Sequence, residues 1–108
     1  VSKRVILESP YAGDVDTHVT YARRAMAHSL SCGESPIASH LLYTQPGILD
    51  DFVPEERARG IAAGLEWAEV ADAAVFYVDY GWSRGMEAAV RFYESRGVSY
   101  AVRKIGVN

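Results

Sequence analysis

The sequence predicts an α/β protein, a small Rossmann-like (flavodoxin-like) three-layer sandwich around a parallel sheet of about four strands. Three observations carry this. Short apolar runs alternate with longer segments whose apolar positions step by three or four, in the order β-α-β-α-β-α-β. The runs Val5-Ile6-Leu7 and residues 73–78 are contiguous rather than alternating, as in parallel strands buried on both faces. Connections of this length between parallel strands are right-handed crossovers, which leave helices on the faces of the sheet.

The first strand is residues 4–8. Ser9-Pro10-Tyr11-Ala12-Gly13-Asp14 breaks it, and Asp14 or Asp16 caps a helix with Val15, Val19, Ala22, Met26 and Leu30 on its apolar stripe. Gly33 ends that helix near Cys32. A short second strand over 35–38 leads into the less regular stretch Ser39-His40-Leu41-Leu42-Tyr43-Thr44-Gln45, then a turn at Pro46-Gly47. Early carboxylates and Pro54 start a helix over 54–70, with Ala58, Ile61, Ala62, Leu65 and Ala68 inward and Trp67 in the core. Gly60 and Gly64 each weaken it by about 1 kcal/mol relative to alanine, so close packing is their expected value. The third strand, 73–78, precedes a loop and a helix over 83–96 that buries Met86, Ala89, Val90 and Tyr93 and ends at Gly97. The last strand, 98–102, alternates in part, as where one side is less covered.

At 108 residues, with 49% hydrophobic and 23% charged residues, the chain reads as a single domain over 1–108. A net charge of −3 argues against duplex nucleic acid as a partner. The lone Cys32 forms no internal disulfide, and His18, His28 and His40 have no zinc-like spacing, so neither metal nor cofactor is expected. No run spans a bilayer and no secretion signal opens the chain, which reads as cytoplasmic with no membrane partner. The Tyr and Trp content suggests a further surface buried in a homodimer or higher homo-oligomer.

Chemistry concentrates in two loops at the carboxyl edge of the sheet, where open α/β sheets bind ligands. The first, Glu8-Ser9-Pro10-Tyr11-Ala12-Gly13-Asp14, supplies a carboxylate, hydroxyls and a glycine; Tyr11 reads equally as a ring packed over the sheet edge, Ser9 and Gly13 equally as turn residues, and Asp14 as a helix cap rather than a catalyst. The second, Asp79-Tyr80-Gly81-Trp82-Ser83-Arg84-Gly85-Met86-Glu87, follows the most apolar run and opens a helix. There Ser83, Arg84 and Gly85 can hold a phosphate with hydroxyl, guanidinium and backbone N–H groups, or Ser83 can cap the helix beside a solvated Arg84. Trp82 is a candidate for stacking on a base, and His40 for ligand binding or acid catalysis. Glu87 reads either as a carboxylate aimed at a sugar or as the partner of Arg91 four residues later.

Val5-Ile6-Leu7-Glu8-Ser9-Pro10-Tyr11-Ala12-Gly13, Leu65-Glu66-Trp67 leading to Ala71-Asp72-Ala73, and Gly81-Trp82-Ser83-Arg84-Gly85-Met86-Glu87 together resemble the nucleoside 2-deoxyribosyltransferase and nucleotide N-glycosidase superfamily, including its small phage-borne members. The resemblance implies cleavage of the base–sugar bond of a nucleoside 5′-monophosphate. It casts Glu87 as the nucleophile, with Ser83, Arg84 and Gly85 around the phosphate; Ser9, Tyr11, Gly13, His40, Asp79, Trp82 and Met86, from the two loops and the stretch after the second strand, are the further candidates for the substrate site. A non-catalytic nucleotide-binding protein is the alternative. Many members carry an aspartate on the second helix that assists the leaving base, at a place matched here by Gly64. Some place the helix glutamate two residues further on, where this chain has Ala89, an alignment in which Glu87 is not the nucleophile.

Overall fold

Val5, Ile6 and Leu7 are buried, with successive side chains entering opposite sides of the sheet, as the contiguous apolar run requires. In the computed structural model, which describes residues 2–107, this segment is strand β1 (Arg4–Glu8). Helix α1 (Val15–Ser31) leads to β2 (Ser35–Ile37), a short helix α2 (Ser39–Leu42), and α3 (Pro54–Glu66). Strand β3 (Ala73–Tyr77), helix α4 (Arg84–Ser95) and strand β4 (Tyr100–Arg103) complete the described chain. All pairings are parallel and the sheet order is β2-β1-β3-β4. The strand order reverses between β1 and β3, whose register sets Glu8 opposite Phe76. In a doubly wound sheet of this order that reversal is the topological switch point, outside which ligands bind.

One face of the sheet presents Val5, Leu7, Val75 and Tyr77 to Tyr21 and Ala25 of α1. The other presents Ile6, Ala74 and Phe76 to Met86, Ala89 and Tyr93 of α4, and to Ala68 just beyond α3. The expected three layers are therefore present. Both ends of α1 are as predicted: Asp14 accepts from the Thr17 amide and hydroxyl, and Gly33, at φ +79°, follows the last turn in a conformation that side chains disfavour. Among the described residues, no helix is long and apolar enough to cross a membrane.

The buried stripes differ from those counted on apolarity alone. On α1 the buried residues are Tyr21, Ala22, Ala25 and Ser29, while Leu30 is 60% exposed. Polar partners set this rotation, since the Tyr21 hydroxyl donates to Asp79 and Ser29 donates to Glu34. On α3 the buried residue is Gly64, while Ala58 and Ala62 face solvent. A Cβ on Gly64 would lie 2.4 Å from Ser39 Oγ, so the bare backbone lets α2 and α3 touch. Helix α3 also ends early and tightens into a 3₁₀ turn, Trp67–Glu69. Trp67 is at the rim rather than in the core, 45% exposed, with its indole N–H donating to Tyr43 Oη at 3.1 Å. Strand β4 begins at Tyr100, two residues late, because the Val98 amide donates to Tyr93 C=O and so completes the end of α4.

Candidate functional site

The carboxyl end of β1 and the start of α4, the helix that follows β3, open into a cleft of about 420 Å³, within the range of small-molecule sites. Its floor is Glu8 and Ser9 at the end of β1; one wall is α2 and α3, the other the start of α4. Ser9, Tyr11, His40, Ser83, Arg84, Gly85 and Met86, all named from the sequence, line it together. The two motif loops therefore meet across the β1/β3 boundary, as the fold class requires.

Glu8 is half-buried, and its Oε2 accepts a 2.5 Å hydrogen bond from the Tyr93 hydroxyl. Removal from water disfavours the carboxylate and pushes the group up to about 7, although the Tyr93 hydrogen bond pulls the other way. The cleft thus holds a carboxyl poised to give or take a proton at neutral pH. Beside it the buried Ser9 hydroxyl is 2.7 Å from His40 Nε2, and Tyr11 stands edge-on to the imidazole at 6.4 Å between ring centres. Burial depresses His40 to about 4, so the ring is neutral near pH 7. It offers hydrogen bonds rather than charge.

At the start of α4 the Ser83 side chain accepts from the Met86 amide and caps the helix. The first-turn amides of Arg84 and Gly85 come before the point at which intrahelical bonding begins, and both residues line the cleft. Arg84 is exposed, and among the described residues it takes part in no ion pair. Two backbone donors, a guanidinium and the Ser83 hydroxyl proton therefore remain for an anion.

Four residues expected in the site lie elsewhere. Glu87 is exposed and does not line the cleft, although Arg84, Gly85, Ala88 and Ala89 of the same helix do. At about 100° per residue Glu87 is turned well away from that set. Its alternative partner, Arg91, is not paired with it either, since the ion pairs among the described residues join Arg4–Asp72, Arg57–Asp51, Arg96–Glu69 and Arg103–Glu34. Asp79 faces away from the cleft and ties down the C-terminal segment. Its carboxylate accepts from the Tyr21 hydroxyl and from the Ile105, Gly106 and Val107 amides. Burial opposes ionisation of Asp79, but these donors outweigh it and hold the carboxyl down at about 2. Trp82, 43% exposed, lies over Phe76 at 5.1 Å between ring centres. Gly13, at φ +91°, makes the turn before α1 and is outside the lining.

Conversely, the cleft gathers Asp51, Glu56 and Arg57, whose sequence signal is that of a helix start, and Arg57 pairs with Asp51 at 3.3 Å. Glu8 carried a signal as the last residue of a central strand on the ligand-binding edge. The Tyr93 hydroxyl had none, because its partner is 85 positions away. Among the described residues, no cluster of three or more His, Cys, Asp or Glu side chains is arranged to hold a metal ion.

The fold and cleft define a small parallel α/β protein with a ligand-sized site at its switch point. Residues 3–103 match the family described as a domain of unknown function (DUF7768), and the chain belongs to that family. No curated protein and no solved structure matches it.

Proposed function

We propose that the cleft binds a nucleoside 5′-monophosphate and cleaves its base–sugar bond, with Glu8 in place of Glu87 as the working carboxyl. One observation carries the reading: unpaired anion donors at the start of α4 and a half-buried carboxyl with a pKa near neutrality open into the same cleft. The resemblance to the deoxyribosyltransferase and N-glycosidase superfamily supplies the reaction class. Ser83, Arg84 and Gly85 hold the phosphate, and the protonated form of Glu8 acts as general acid. As the C1′–N bond breaks, its electron pair goes to the base and the Glu8 proton is delivered to a base nitrogen. Water adds to the oxocarbenium-like C1′ and loses a proton, which restores Glu8. Gly64 leaves no room for a carboxylate beside Ser39, so Glu8 takes the part that an aspartate on the second helix plays in many members of that superfamily. The exposed Phe52 and Ile48, 88% and 51% accessible, support a homo-oligomer.

The outward position of Glu87 favours a second reading, nucleotide binding without chemistry. Incubation with a panel of nucleoside monophosphates, followed by chromatography for free base, separates the two. Release of base that Glu8→Gln abolishes and Glu87→Gln preserves supports the hydrolase. If no base appears at high enzyme concentration while nucleotide at 100 times Kd stabilises the fold by about 2.7 kcal/mol, the protein is a binder. Absence of both responses defeats both readings.

A further inference from the structure

Tyr93 is completely buried on the sheet-facing side of α4, against Phe76 and Phe92. Among the described residues its hydroxyl has one partner, Glu8 Oε2. A tyrosine enclosed by aromatic rings packs as well without its oxygen, so the hydroxyl marks a requirement for a donor at that point. Among the described residues, the other Glu8 oxygen, Oε1, has no hydrogen-bond partner. Because no buried side-chain nitrogen or oxygen among the described residues lacks a partner, Oε1 is open to solvent in the cleft. Resting on the hydrolase reading above, we infer that Tyr93 is the positioning residue of the cleft carboxyl: its hydroxyl holds Oε2, fixes the Glu8 side chain, and leaves Oε1 to meet the ligand.

The geometry couples aim to proton affinity. A donor on Oε2 favours the carboxylate against burial, so it keeps Glu8 titrating near neutrality instead of locked as the acid. The other charged or titratable groups on the cleft walls are His40 of α2, Tyr43 just after it, Asp51, Glu56 and Arg57 around the start of α3, Arg84 of α4, and Tyr11 after β1. None of these hydrogen-bonds to Glu8, whereas Tyr93 does. Tyr93 touches no ligand, since it is absent from the cleft lining.

The test is Tyr93→Phe in the full chain, read by two independent observables. The first is the Glu8 carboxyl titration by NMR, with ¹³C-labelled glutamate and Glu8→Gln used for assignment. The second is turnover of a nucleoside monophosphate across pH. Loss of a hydrogen bond to a charged acceptor is expected to raise the Glu8 midpoint by about one pH unit or more. It should carry the alkaline limb of kcat upward by the same amount and lower kcat about tenfold, with KM within about threefold. Replacing Tyr93 by 3-fluorotyrosine, a stronger donor of nearly the same shape, should move the midpoint down, and this arm serves if Tyr93→Phe fails to fold. An unmoved midpoint in either variant overturns the inference. A midpoint that moves as expected in a protein that releases no base overturns the hydrolase reading and leaves the hold of Tyr93 on Glu8 intact.

Discussion

Replacing Glu8 by Gln is the perturbation with the largest consequence. The amide keeps the size of the side chain and an oxygen to accept from Tyr93, but it has no proton to exchange. In the unfolded chain Glu8 titrates near 4.5, and in the fold burial moves it to about 7. The native state therefore holds the proton more tightly, so the stability Glu8 contributes is complete below pH 4.5 and is lost as pH rises through 7. At about 1.4 kcal/mol per pH unit the full loss is roughly 3 kcal/mol, of which about 2.5 kcal/mol falls between pH 5 and pH 8. That is a large part of the 5–15 kcal/mol roughly typical of a domain. Urea unfolding of both proteins at pH 5 and pH 8 measures it: relative to wild type, Glu8→Gln should gain about 2.5 kcal/mol across the interval. Base release should fall by about 10² to 10⁴. Stability profiles that run parallel from pH 5 to pH 8 would refute the raised Glu8. Undiminished base release would remove it from the chemistry.

Arg84→Ala should weaken nucleoside monophosphate binding about tenfold to a hundredfold and leave the unphosphorylated nucleoside unaffected; calorimetry with the pair reads the difference. Gly64→Ala puts a methyl group 2.4 Å from Ser39 Oγ, so thermal unfolding should show a loss of about 1–3 kcal/mol despite the helix preference of alanine. At Gly60 the nearest atom is the terminal Leu49 Cδ1 at 3.3 Å, and the same change there should be nearly neutral. Asp79→Asn should cost about 1–3 kcal/mol at pH 7 and speed amide exchange at residues 105–107. Because Asp79 titrates near 2 in the fold, its contribution is present above the ordinary 3.8 and lost as pH falls through 2, so the variant should lose stability less steeply in acid.

The layers and the position of the ligand edge follow from the pattern of residues along the chain. Contiguous apolar runs at Val5-Ile6-Leu7 and at 73–78 have no stable place except between two faces of helices, and parallel strands joined by helices bring their carboxyl-end loops to one side. That is why Ser9, Tyr11, His40, Ser83, Arg84, Gly85 and Met86 are found around one cleft. Local spacing also identified the Asp14 and Ser83 caps, since a cap acts within three residues. Which carboxylate enters the cleft depends on long-range packing. Glu87 and Ala88 are neighbours in the chain, yet a 100° turn separates them, and only the packing of α4 on Phe76 and Ala74 selects which one lines the cleft. Long-range packing also makes Asp79 serve the C-terminal segment and Glu8 titrate near neutrality. Those outcomes depend on Ile105 and on Tyr93, partners 26 and 85 positions distant, and on the exclusion of water, which no local pattern encodes.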